Sequence, residues 1–215
     1  KVFTREELLS LGTFAVKYNL TILSDEIWSD IVYSPAKFTS IASLNEEIRN
    51  QTITVTGFSK SYGMAGLRIG VVIAHNKTHY KRLFDNSMHQ YTVHGVSVLS
   101  QVGAIAALNE CGYWVEQFVA HTKKMRDLLV SEVNSIQSLS CNSPDGCYVA
   151  FIDIRKTGKT SNEVYELLLK EAKVAVVPGL EKWFGKEAEG YIRICFSTSE
   201  TILRESISRI KNCLE

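Results

Sequence analysis

Lys60 and Arg68 stand eight residues apart in the stretch Gly57-Phe58-Ser59-Lys60-Ser61-Tyr62-Gly63-Met64-Ala65-Gly66-Leu67-Arg68-Ile69-Gly70. The lysine follows a β-branched run, Thr52 to Thr56, and the arginine precedes a second β-run, Ile69 to Ala74. The small residues between them let backbone crowd around a bound group. A partly desolvated lysine loses its proton more easily and becomes a nucleophile, and an arginine can fork onto phosphate oxygens. The competing reading is a surface lysine in a glycine-rich loop, with Arg68 paired to a carboxylate.

Two more charged residues lie where chemistry could use them. Asp25 follows a short β-run, Leu20 to Ser24, at the strand end where open α/β sheets gather ligand groups. Ser24-Asp25-Glu26-Ile27 also resembles a helix start with Asp25 as its cap. Arg193 interrupts the apolar strand Gly190 to Phe196, where a guanidinium is costly to bury unless it meets an anion. A structural salt bridge or an edge strand facing water would also account for it.

These residues need elements to hold them. Thr4-Arg5-Glu6-Glu7 reads as a capping box, with Leu8, Leu11, Phe14, Ala15 and Tyr18 on one helix face. The order helix, strand, loop, strand, lysine loop, strand implies a mainly parallel sheet covered by helices, an α/β layout. Helices are expected over His79 to Phe84 and Val96 to Leu108, then a long one from Tyr113 with Trp114, Phe118, His121, Met125, Leu128 and Glu132 near one side. Beyond it the rhythm changes to a small α+β lobe. Strands are expected at Gly146 to Ile154, Val174 to Val177 and Tyr191 to Phe196. Helices are expected from Thr160 to about Ala172 and from Glu200, where Leu203, Ile207, Ile210 and Leu214 share a face. The expected domains are 1–120 and 121–215.

With 215 residues and 45% hydrophobic content the chain can bury a real core. Net charge is +1 from 24 basic and 23 acidic residues, interspersed, so no nucleic-acid face is expected. No apolar run approaches the roughly 20 residues of a membrane helix, so no membrane partner is expected either. Five cysteines, without Cys-x-x-Cys spacing, argue against a disulfide framework or a zinc site and suit a cytoplasmic location. No initiator methionine precedes Lys1, which reads as a segment of a longer protein.

The fourteen residues from Gly57 to Gly70 satisfy, position by position, the pyridoxal-phosphate attachment signature, and the chain resembles the class I and II aminotransferases, fold type I enzymes of vitamin B6. The resemblance implies pyridoxal 5'-phosphate as cofactor, with Lys60 holding it as an internal Schiff base and Arg68 binding its phosphate. It places Asp25, thirty-five residues before Lys60, on the pyridine nitrogen, keeping the ring protonated as an electron sink. It assigns Arg193 to the substrate α-carboxylate. Two positions depart from the pattern. Trp28 stands where many members carry a tyrosine that hydrogen-bonds the cofactor's phenolic oxygen, and is read here as packing. Gly57 stands where many carry a phosphate-binding serine, with Ser59 as a possible substitute or a loop-backbone partner.

The resemblance covers essentially all of the chain as the C-terminal portion of such an enzyme. It implies an amino acid and a 2-oxo acid as substrates, and a homodimer whose subunit boundary passes near the loop holding His89, Tyr91 and His94. An N-terminal half would normally add a glycine-rich phosphate loop, an aromatic stacked on the ring and an asparagine, so the segment alone is expected to bind the cofactor weakly or not at all and to be inactive. Two alternatives stand beside it, the first using the same residues. One is a lyase that cleaves a carbon–sulfur bond or forms a cyclopropane amino acid. The other is an effector domain behind a DNA-binding domain in a transcription regulator.

Overall fold

Thr4 opens helix α1 (Arg5–Lys17) with the capping box its sequence implies: its hydroxyl accepts from the Glu7 amide at 3.2 Å, and the Glu7 carboxylate accepts from the Thr4 amide at 2.8 Å. The face it buries differs from the expected one. Leu8, Gly12 and Ala15 are covered, whereas Leu11, Phe14 and Tyr18 are exposed. Helix α2 (Glu46–Gln51) causes this by lying so close to Gly12 that a Cβ there would sit 2.5 Å from Ile48 Cδ1. Only glycine permits that approach, so α1 turns its small residues inward. Leu8, Ile41 and Ile48 form the local core, with Val16, Ile22 and Leu44 packed against it.

This computed structural model describes residues 1–92 and 95–215, and it divides into two compact units, Lys1–Phe118 and Val119–Glu215. The first unit holds a three-stranded sheet in the order β1 (Ile22–Asp25), β2 (Thr52–Gly57), β3 (Gly70–Ala74). β1 and β2 run parallel with Asp25 opposite Val55, as expected where α2 intervenes between them. β3 returns antiparallel, with Gly57 opposite Gly70, and the connection over 58–69 is an irregular loop with one short helical turn, Ala65–Leu67, in place of a crossover helix. Helices α3 (Lys77–Ser87), α4 (His89–Thr92) and α5 (Val98–Glu110) follow, the last burying Ser100, Ala104 and Ala107.

Helix α6 (Gly112–Asn134) runs across the division between the units. Its buried stripe is Thr122, Met125, Leu129 and Val133, while Trp114 is exposed. Of the stripe expected through Trp114, Phe118, His121, Met125, Leu128 and Glu132, Met125 is buried and Phe118 and Leu128 are half-buried, while Trp114 and His121 are exposed.

The second unit is an antiparallel sheet in the order β4 (Ser140–Cys141), β5 (Val149–Asp153), β7 (Tyr191–Cys195), β6 (Val177–Pro178). Helix α7 (Ser161–Leu167) starts at the Thr160–Glu163 capping box and widens into a π-turn over Leu168–Ala172. The strand expected over Val174 to Val177 is confined to Val177–Pro178. Lys173 is left-handed, and the Val174 amide is still bonded to the Leu168 carbonyl at 3.0 Å. A short helix α8 (Glu181–Phe184) precedes β7, and α9 (Glu200–Leu214) turns Leu203, Ile207 and Ile210 inward as its periodicity implies. Among the described residues no helix is long and apolar enough to cross a membrane, and no group of three or more side chains could hold a metal ion.

Candidate functional site

The parallel register sends the C-terminal ends of β1 and β2 out side by side, and the Gly57–Gly70 pair brings the chain back into β3 at the same end. Asp25, Ser59, Lys60 and Arg68 therefore emerge from one end of one sheet. Gly57 sits tightly in this closure: a Cβ there would lie 3.3 Å from the Ile69 carbonyl oxygen and 3.4 Å from Gly70 Cα, both backbone atoms. A serine side chain would crowd that hairpin base.

At the end of β1 two adjacent carboxylates are held differently. Glu26 is engaged by hydroxyls, accepting from Ser24 at 3.0 Å and from Ser40 at 2.7 Å, and its amide donates to the Val55 carbonyl at 2.8 Å. The exposed Asp25 accepts the Ile27 amide on Oδ1 at 3.1 Å, which ties the turn after β1. No helix begins there, so a cap role for Asp25 is replaced by a turn role that uses one carboxylate oxygen.

Lys60 is half-buried, and its Nζ lies 5.2 Å from the ring centroid of Trp28. The residue at the missing-tyrosine position thus meets the lysine. Immediately after Lys60, the fully buried Ser61 donates its hydroxyl to Asp30 Oδ2 at 2.6 Å. Desolvation, and secondarily the Asp30 and Cys111 charges, push the neighbouring Tyr62 phenol above its ordinary pKa. The loop folds on itself: the Tyr62 and Met64 amides both donate to the Phe58 carbonyl, at 3.2 and 3.3 Å. Ser59 is half-buried beside Lys60.

Arg68 has φ 52°, in the left-handed region. That conformation costs a non-glycine residue about 1–2 kcal/mol and persists where the surroundings impose it. Its predecessor is anchored, since Ser100 on α5 donates to the Leu67 carbonyl at 2.6 Å. Ser61, Asp30 and Ser100 are the residues a linear reading misses. Their partners lie 31 and 33 positions away, and no local pattern announces such bonds.

In the second unit Arg193 occupies β7, an interior strand, opposite Phe151 on β5 and Val177 on β6. The edge-strand explanation therefore does not apply. Ile192 beside it faces the core, while Arg193 is half-buried with its guanidinium carbon 5.6 Å from the Phe184 ring centroid. Phe184 and Phe151 meet edge to face at 5.1 Å. Among the described residues no carboxylate forms an ion pair with Arg193. A half-buried guanidinium against an aromatic ring, with no ion-pair partner among the described residues, is suited to an anion from outside.

His89 is engaged locally, its Nδ1 2.8 Å from the Ser87 hydroxyl, and Tyr91 is exposed. His94 lies outside the described residues.

The family model for aminotransferase class I and II matches residues 1–210. An aspartate aminotransferase of Pyrococcus abyssi is 36% identical over 99% of this chain and 54% of its own length. Among solved structures, an aromatic aminotransferase from Pyrococcus horikoshii OT3 superposes with a TM-score of 0.88 at 34% identity, covering 98% of this chain and 55% of that one. A pyridoxal-phosphate-bound structure from Clostridium difficile 630 gives a TM-score of 0.92 at 30% identity, covering 100% and 55%. The chain spans about half the length of the curated relatives it matches. With this fold and this match along nearly its whole length, the chain belongs to the class I and II aminotransferase family.

Proposed function

We propose that this chain carries the lysine-bearing, C-terminal part of a pyridoxal-phosphate-dependent aminotransferase acting on an α-amino acid and a 2-oxo acid. The observation that supports it most is the convergence of Asp25, Lys60 and Arg68 on one sheet end, with an indole against the lysine. The donor set suits the cofactor: an amine for its aldehyde, a guanidinium for its phosphate and a carboxylate for its ring nitrogen. When bound, pyridoxal phosphate supplies an aldehyde and a protonated ring that draws electrons from the substrate's α-carbon.

Each residue has one task in this reading. Lys60 would be the amine that holds the aldehyde, and an amine there can take and return a proton at the substrate's α-carbon. Asp25, whose turn bond uses one carboxylate oxygen, would keep the ring nitrogen protonated. Arg68 and Ser59 would hold phosphate oxygens. Arg193 would fork onto the substrate's α-carboxylate.

Residues 1–120 then form part of the large cofactor domain and 121–215 the small domain, in a cytoplasmic homodimer. The remaining half of the fold would cover apolar side chains that stand open here, such as Leu23 at 71% and Leu99 at 77% exposure. The cytoplasm fits five cysteines that are all free. Titrating the isolated 215-residue chain and the full-length protein with pyridoxal phosphate tests this: tight, borohydride-trappable binding is expected only for the full-length protein. Product analysis for keto acid, as against pyruvate with ammonia, separates transamination from elimination.

A further inference from the structure

We propose that Ser61 and Ser100 are positioning residues that clamp the Lys60–Arg68 loop from both ends and fix it before any ligand arrives. The inference rests on the reading of Lys60 and Arg68 above and adds to it residues that touch neither substrate nor cofactor.

Both hydroxyls are buried, Ser61 completely and Ser100 to 3% exposure, and a buried hydroxyl is stabilising only when it is bonded. Each makes one short bond of 2.6 Å to a distant part of the first unit: Ser61 to the Asp30 carboxylate beyond β1, and Ser100 from α5 to the Leu67 carbonyl. The placement matters more than the bonds themselves. Ser61 shares a peptide unit with Lys60, so its anchor fixes the backbone from which the amine leaves. Leu67 shares one with Arg68, so its anchor fixes the left-handed backbone that aims the guanidinium.

Helix α5 reinforces the second anchor. A Cβ on Gly103 would stand 3.0 Å from Leu67 Cδ1 and 3.2 Å from Met64 Cε, so the helix lies flush on the turn that leads into Arg68. Between the anchors the loop closes on itself through Leu67 N to the Met64 carbonyl at 3.0 Å and Arg68 N to the Ala65 carbonyl at 3.3 Å. A loop held this way has little freedom left to lose when a phosphorylated ligand binds.

The test uses the full-length protein and two readouts. Without ligand, amide hydrogen exchange over residues 58–69 should speed roughly tenfold in Ser61→Ala, Ser100→Ala and Asp30→Ala. Asp30→Asn, which keeps an oxygen to accept the Ser61 hydroxyl, should stay near wild type. The dissociation constant for pyridoxal phosphate should rise about five- to tenfold in the same three variants and not in Asp30→Asn. Wild-type exchange in both serine variants would overturn the clamp, and so would faster exchange with unchanged affinity. Should a serine variant fail to fold, the Asp30→Ala and Asp30→Asn pair carries the test for Ser61. If wild type bound no pyridoxal phosphate, the reading of Lys60 would fall while the exchange arm still decided the clamp.

Discussion

The Lys60 ammonium stands 5.2 Å from the centroid of the Trp28 indole, three residues beyond Asp25. Trp28 is thus more than filler at a position where relatives of the resemblance carry a tyrosine. An indole can donate one hydrogen bond but lacks the hydroxyl that a phenol would place beside the cofactor. Trp28→Tyr is therefore expected to tighten pyridoxal phosphate binding in the full-length protein by up to about tenfold, the value of one added hydrogen bond. Spectroscopic titration measures it, and a loosened complex would show that the indole itself is the better contact.

Arg193 has aromatic neighbours but, among the described residues, no ion-pair partner. Losing a charge-assisted fork costs roughly 1.5–3 kcal/mol, so Arg193→Ala should raise KM for the amino acid about 10- to 100-fold. Arg193→Lys should recover only part of this, because an ammonium cannot form the planar fork. Steady-state kinetics on the full-length enzyme decide, and an unchanged KM would remove Arg193 from the substrate site.

Gly179 is the most constrained glycine in the second unit. A Cβ there would fall 1.9 Å from the Ala188 carbonyl oxygen and 2.8 Å from that of Tyr191, both rigid backbone atoms. Gly179→Ala should cost about 3 kcal/mol or more, since the strand β6 edge must shift to accept it. A urea midpoint equal to wild type would contradict the packing described here.

Acid should loosen the second unit through two carboxylates. The Asp153 carboxyl lies below its ordinary pKa because Arg155 donates hydrogen bonds to it, and Glu189 lies below its own because the Ser161 amide does, at 2.7 Å. A group with a lowered folded-state pKa adds stability above its unfolded value of roughly 4, and that stability fades as pH falls through the folded value. Both sites are partly solvated, so each effect is small. The melting temperature is expected to drop below about pH 4.5, and the drop should shrink in Asp153→Asn with Glu189→Gln. An equally steep drop in that double variant would assign acid sensitivity elsewhere.

Much of this fold is written in local pattern. The Thr4 and Thr160 capping boxes, the apolar face of α9 and the lysine loop between two β-runs are all set by residues within four or five positions of one another. Where the structure departs, either a distant partner or a local backbone turn decides. Gly12 admits Ile48 and so rotates α1 away from the face that Leu11 and Phe14 suggest. Lys173 turns left-handed and cuts the Val174 strand short. In the site, the chemistry-bearing residues announce themselves by type and spacing. Their supports, Ser61 on Asp30 and Ser100 on Leu67, are ordinary serines whose meaning appears only once the chain is folded.

The most direct measurement is peptide mapping of the borohydride-reduced full-length protein after incubation with pyridoxal phosphate. The expected result is a single pyridoxyl-phosphate adduct on the peptide containing Lys60, absent in Lys60→Ala together with all transaminase turnover. An adduct on another lysine, or turnover that survives Lys60→Ala, would contradict the assignment.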